Sequence, residues 1–396
     1  MRQAPYALLA AALIGCNHDE GASFDPRLSR ETLRSNVRYS ISYLPTLDGS
    51  RNRPAGISNS GLVAGFVNRP DNATRVAAFW RNSSLDTLGT LGGPNSIVQW
   101  PGVSNNGYVV GISETAKLDP LHEEWSCTAF LPSVTGHICV GFVWEDGMMK
   151  ALPTLGGNQG FATGVNSSGK VVGWAETPVL DPTCKAPQKL QFRAVMWEAR
   201  KGTMRELKPL PGDSTSAATA INNAGQAVGI SGDCDIAVGQ LSAKHAVLWE
   251  NGTVINIGDL GGDAWHTPMD MNDAADVVGF SNPRGVIGID FNPHAFLWTR
   301  SAGIEDLHTL PGDESSQALG INKYRQVVGI SSGAVNRAFL WENGVMRDLK
   351  ELVDPAFPDQ LIVAQHINDA GVIVGRALLH GTNTQVPFVA TPITPQ

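Results

Sequence analysis

One ten-residue phrase recurs along the chain and limits what it can fold into: INNAGQAVGI (221–230), INKYRQVVGI (321–330) and INDAGVIVGR (367–376). Weaker copies are ISNSGLVAGF (57–66), VSNNGYVVGI (103–112), VNSSGKVVGW (165–174) and MNDAADVVGF (271–280). Aligned on their Asn, these copies place an anchor at Asn59, Asn105, Asn166, Asn222, Asn272, Asn322 and Asn368. A second phrase, an apolar run ending in Trp, interleaves one for one at Trp80, Trp144, Trp197, Trp249, Trp298 and Trp341, with PFVAT from Pro387 as a degenerate seventh copy. A chain of 396 residues is long for one ordinary core, so seven stacked units are the economical reading.

Each unit reads as four strands. The first runs into Asn-x-x-Gly, a tight hairpin signal because Asn tolerates the turn backbone and Gly supplies positive φ. The second is Val-Val-Gly, and the third is the Trp-ending run, which turns at Trp-Glu-Asn-Gly or Trp-Glu-Asp-Gly. The fourth reaches Leu-x-x-Leu and commonly ends in Leu-Gly-Gly or Leu-Pro-Gly-Asp before the chain crosses to the next unit. A period of about 51 residues with four strands per unit predicts an all-β fold, a β-propeller of seven four-stranded blades, with a β-helix as the rival. The segment YSISYLPTLD (39–48) looks like a fourth strand standing alone, and the last unit stops after its third strand. The N-terminal strand is therefore expected to complete the last blade, hiding both sheet edges.

The HAFLW, GIN-x-x-G-x-VVG and L-x-x-LGG signatures resemble those of the HAF family of extracellular repeat proteins over about residues 39–391, although only His245 and His294 supply the His of the motif. The resemblance implies an exported, propeller-like repeat protein and implies no chemistry.

The first residues agree with export. MRQAPYALLAAALIGC carries one Arg and an apolar run from Ala7 to Ile14, too short to span a bilayer and suited to a signal peptide. Its end, Leu13-Ile14-Gly15-Cys16, resembles the lipobox of bacterial lipoproteins. This implies a signal over 1–15, acylation of Cys16, a polar tether over 16–38 and a propeller over 39–396, held to a membrane facing the periplasm or the cell exterior. Cys127, Cys139, Cys184 and Cys234 then remain for an oxidising compartment. Three pairings are open; the short Cys127–Cys139 loop is favoured, leaving Cys184 with Cys234. No metal or other cofactor is expected, because none of these cysteines has the close spacing of a zinc half-site. The net charge is −8 with no Lys/Arg cluster, which leaves no footprint for nucleic acid. A closed ring needs no partner to bury its edges, so a monomer is expected.

Connections in a four-stranded meander alternate between the two ends of a blade. The tight turns therefore share one face, and the loops after Val-Val-Gly share the other with the Leu-Gly-Gly crossings. All the long insertions, 113–140, 175–192, 231–244 and 281–293, fall on the second face, with all four cysteines. Long braced loops on a rigid scaffold are the usual place for binding. The six repeat Trp read as packing residues. Trp100, Trp125, Trp174 and Trp265 stand outside that register and, with His266, are the candidate ligand-binding residues. The expected function is a binding module for a protein or glycan at the cell envelope. The alternative is a glycosidase or lyase with a site at the channel, which needs two facing carboxylates from among Glu114, Asp119, Glu123, Glu124, Glu176 and Asp233.

Overall fold

A computed structural model describes residues 38–123, 125–235, 239–287 and 290–393. Among these, twenty-eight strands form seven four-stranded antiparallel sheets, each ordered from an inner to an outer strand. The inner strands of blades I to VII are Arg53–Ile57, Gly92–Ile97, Gly160–Val165, Thr215–Ile221, Thr267–Met271, Ser315–Ile321 and Gln360–Ile367. The fold is a seven-bladed β-propeller. The expected signal, Cys16 and the tether up to residue 37 lie outside the described residues. No helix among the described residues is long and apolar enough to cross a membrane.

The last blade is completed from the N-terminus, as its strand grammar requires. Tyr39–Tyr43 pairs antiparallel with Gln385–Pro392 and becomes the outer strand of blade VII. That pairing satisfies the two edges a linear repeat array would leave open.

The Gly of Val-Val-Gly has a steric cause. In six blades the inner strand bulges at one repeat position, between Ala318 and Gly320 in blade VI, for example. A Cβ on any of Gly65, Gly111, Gly173, Gly229, Gly279, Gly329 or Gly375 would stand 1.9–2.2 Å from a carbonyl oxygen of the inner strand, so no side chain fits. Of the repeat Trp, Trp80, Trp197, Trp249, Trp298 and Trp341 are buried. The indole N–H groups of Trp80, Trp197 and Trp249 donate to the carbonyls of Pro45, Pro153 and Lys208 on the approach to their own blade. Burying these rings between sheets, each worth a few kcal/mol of transfer free energy, adds to the aliphatic packing between blades.

The anchor needs a correction of register. In blades I and II the position is held by Ser58 and Ser104, not by Asn59 and Asn105. The Oγ of Ser58 accepts the N–H of Leu62 at 3.1 Å and that of Ser104 accepts the N–H of Tyr108 at 3.1 Å. Asn222 Oδ1 accepts the N–H of Gln226 in the same way at 3.0 Å. A short hydroxyl closes the turn as an amide does, so Ser substitutes there and the neighbouring Asn misleads the alignment.

Candidate functional site

The two ends of the ring differ as the strand order requires. On the insertion face, the second and third strands of blades II and III run on as extended hairpins, pairing out to Leu118 with His137 and Leu180 with Leu190. Cys127 is bonded to Cys139, and Cys184 to Cys234. Because Cys184 and Cys234 are bonded to each other, they are not free to join Asp181 in holding a metal.

The carboxylates on these hairpins are structural. Glu114 Oε2 accepts the main-chain and side-chain N–H of Asn95 at 2.8 and 3.0 Å, and Oε1 accepts the Thr135 hydroxyl. Glu176 accepts the N–H groups of Asn158 and Gln159 at 3.0 and 2.7 Å and the amide of Gln188 at 2.9 Å. Asp119 holds the N–H of Glu123 at 2.7 Å and the side chain of Asn158 at 3.0 Å. Glu123 reaches across to the N–H groups of Lys189 and Leu190, at 2.8 and 2.5 Å, and so ties the two hairpins together. All four side chains are buried. Burial, then repulsion from Glu123, pushes Glu176 up to about 8, and burial raises Glu123 as well. The same packing explains Leu-Gly-Gly: a Cβ on Gly93 or Gly157 would lie 2.4 Å from the Cβ of Glu114 or Glu176. Asp233 is a surface partner of Lys244 at 3.9 Å, and Glu124 lies outside the described residues. Glu123 stands close enough to Glu176 and Asp119 for their charges to repel, and all three are buried.

The candidate aromatic platform is also revised. Trp100 is 6% exposed and Trp174 1%. Both pack with Phe161, at centroid distances of 5.2 and 4.8 Å, in a core beneath the insertions. Trp100 lies in the irregular stretch between the end of the blade II inner strand at Ile97 and the anchor turn at Ser104. His266 is buried as well; its Nδ1 lies 2.7 Å from Ser281 Oγ, and burial lowers its pKa. Trp265 is half-buried against Phe291 at 5.0 Å, and the side chain of Trp125 lies outside the described residues. The face exposes an aliphatic row, Leu118 at 67%, Val134 at 71%, Val179 at 53% and Leu180 at 68%, and on the blade V insertion Ile287 at 66% and Phe291 at 47%.

The opposite end holds a cavity of about 270 Å³ at the channel mouth, ringed by the anchor turns. Asn166, Asn222, Asn272, Asn322 and Asn368 each donate Nδ2 to the anchor carbonyl of the next blade at 3.1–3.3 Å. One step deeper, the repeat places Gly56, Gly102, Gly164, Ala220 and Gly320 at one position, and Asp270 and His366 replace the small residue in blades V and VII. His366 Nδ1 accepts the N–H of Ile57 at 3.2 Å, so Nε2 carries the proton and faces Asp270 Oδ2 at 3.3 Å. Asp270 also accepts the N–H groups of Ile321 and Met271 at 2.9 and 2.8 Å. The pair is saturated and joins blades I, V, VI and VII; it holds no free base. Asp270 and His366 were missed in the sequence, where the signal was a charged or aromatic residue in the Gly slot before Ile-Asn.

No family model matches the chain, and no curated protein does. Solved structures share the fold. The β-propeller domain of the Trilobed protease from Pyrococcus furiosus aligns over 88% of this chain and 97% of its own, with TM-score 0.50 and 10% identity. Virginiamycin B lyase from Staphylococcus aureus aligns over 90% and 100%, with TM-score 0.49 and 14% identity. Acylaminoacyl peptidase from Pyrococcus horikoshii aligns over 89% of this chain, with TM-score 0.49 and 9% identity, and the chain spans about half (54%) of that protein. At these identities the likeness is one of fold.

Proposed function

We propose that this chain is an exported, lipid-anchored member of the HAF repeat group that binds a protein partner at the cell envelope through its insertion face. The observation that carries the reading is the row of exposed aliphatic side chains, Leu118, Val134, Val179 and Leu180, on hairpins tied by Glu123 and backed by two disulfides. Rigid, exposed apolar tips are what a protein interface uses. A glycan would stack on exposed aromatic faces; Trp100 and Trp174 are buried, which leaves Phe291 and the half-buried Trp265, on the blade V insertion and apart from the aliphatic row of blades II and III. The disulfides support an oxidising compartment, and the lipobox-like Leu13-Ile14-Gly15-Cys16 supports attachment through an acylated Cys16.

The test is site-specific photo-crosslinking in cells exporting the full chain, with the crosslinker at position 118 or 180 and a control at Met148, an exposed apolar residue on the tight-turn face. A discrete protein adduct is expected at 118 and 180 and not at 148. Leu180 ends the second strand of blade III beside Val179, and Leu180→Asp in the 118-labelled chain is expected to abolish the adduct there. Adducts of equal yield at 118, 180 and 148 would sink the reading. Intact-mass analysis of the same protein, showing a start at Cys16 with acyl mass, tests the anchor separately.

A further inference from the structure

We propose that His294, Asp306 and His308 form a binding site for a divalent transition-metal ion on the insertion face of blade V. This site does not depend on the protein-binding reading above. It rests on three donors that converge from two adjacent strands, His294–Thr299 and Gly303–His308. Asp306 Oδ2 stands 2.9 Å from His294 Nδ1 and 3.4 Å from His308 Nδ1, and one ligand atom from each residue lies within 4.8 Å of the others. In a tetrahedral site with metal–ligand bonds of about 2.0–2.1 Å, donors stand about 3.3 Å apart, so the three need only small rotations to share an ion.

The backbone is arranged to bring the third donor in. A bulge between Ala295 and Phe296 pairs Phe296 with Asp306 and Ala295 with His308. His308 then adopts φ +61, a conformation costly to an L side chain. The matching positions in blades I and IV are Gly89 and Gly258, at φ 77 and 87. Blade V thus places a histidine where two other blades use glycine. The N–H of His308 donates to Asp306 Oδ1 at 2.7 Å, which fixes the carboxylate and leaves Oδ2 toward the two imidazoles.

Blade IV provides the contrast. His245, the other His of the repeat motif, has its Nδ1 3.0 Å from Asp213 Oδ2, and that oxygen also accepts the Ser231 hydroxyl at 2.6 Å. One imidazole and a saturated carboxylate make a structural pair. In blade V the carboxylate comes from the blade's own outer strand and a second imidazole replaces the hydroxyl. Two imidazoles with one carboxylate suit Zn²⁺, Cu²⁺ or Ni²⁺ better than Mg²⁺ or Ca²⁺. The side chains are 23%, 26% and 77% exposed for His294, Asp306 and His308, so an ion can enter from solvent and keep a coordination position for water.

The test uses the untagged full chain, stripped with a chelator and desalted, titrated calorimetrically with Zn²⁺ and Cu²⁺, with the Cu²⁺ form read by electron paramagnetic resonance. One ion per chain is expected, with a two-nitrogen signature. His308→Gly installs the residue that blades I and IV carry and keeps the backbone conformation. It is expected to weaken binding at least tenfold, as loss of a ligand does, and to reduce the signature to one nitrogen. Asp306→Asn is expected to weaken binding as well. Absence of stoichiometric binding to the wild type, or affinity and spectrum unchanged in His308→Gly, overturns the proposal.

Discussion

Asn368 donates its side-chain amide to the main-chain carbonyl of Ser58 at 3.1 Å, joining blade VII to blade I across 310 positions of sequence. One residue further on, the N–H of Asp369 donates to Asn59 Oδ1 at 2.9 Å. The turn residues of the first and last repeat therefore close the ring at the channel mouth, while Tyr39–Tyr43 closes it at the rim.

This collar predicts opposite effects for two substitutions. Asn368 also accepts the N–H groups of Ala370 and Val372 at 3.0 Å each and is buried. Asn368→Ala is expected to lower stability by about 2–3 kcal/mol, the cost of leaving buried partners unpaired. Ser58→Asn supplies the amide that blade I lacks and is expected to add about 1 kcal/mol by reaching the carbonyl of Ser104. Denaturant unfolding followed by Trp fluorescence reads both; a loss under 0.5 kcal/mol (roughly half of one net hydrogen bond) for Asn368→Ala would remove the collar from the account.

The disulfides close loops of unequal length, 50 residues for Cys184–Cys234 and 12 for Cys127–Cys139. Loop-closure entropy predicts that replacing the first pair by Ala costs about 4 kcal/mol and the second about 3 kcal/mol. Comparing unfolding midpoints of the two double variants checks the order. The reverse order would mean that local packing around Cys127 outweighs chain entropy.

Glu176 makes stability depend on pH. Its folded value is pushed up to about 8, first by burial and then by Glu123, from an ordinary 4.5. The native state therefore keeps a proton that the unfolded chain releases, so this contribution is complete below about pH 4.5 and is lost as pH rises through 8. Its slope approaches about 1.4 kcal/mol per pH unit at most. Calorimetric melting at pH 5, 6.5 and 8 (values spanning roughly that window) is expected to show wild-type stability falling relative to Glu176→Gln. Parallel curves for the two proteins would contradict the assignment.

The blade count, the split blade and the insertion face were legible in the sequence because a repeat is a one-dimensional signal. Val-Val-Gly, the Trp-ending strand and Leu-Gly-Gly recur with the chain, and strand alternation carries them to one end of the ring or the other. The disulfide pairing was legible as the favoured choice of three, since a short loop closes at small entropic cost. At Ser58-Asn59 and Ser104-Asn105 the same signal slipped by one residue, because Ser makes the anchoring bond there without resembling Asn.

Only the tertiary structure decided which chemical groups are free. Trp100 and Trp174 stand outside the repeat register, yet they meet Phe161 in a core formed between blades. Glu114, Asp119, Glu123 and Glu176 lie in polar insertions, yet they are taken up by main-chain N–H groups. Asp270 and His366 meet across a glycine of the intervening blade, and His308 meets Asp306 from a left-handed backbone position. The sequence by itself determined the order of strands and hence the ring. The pairing of polar groups depends on distances of about 3 Å between residues far apart in the chain, and those distances are set by how bulges and loop tips pack once the ring has closed.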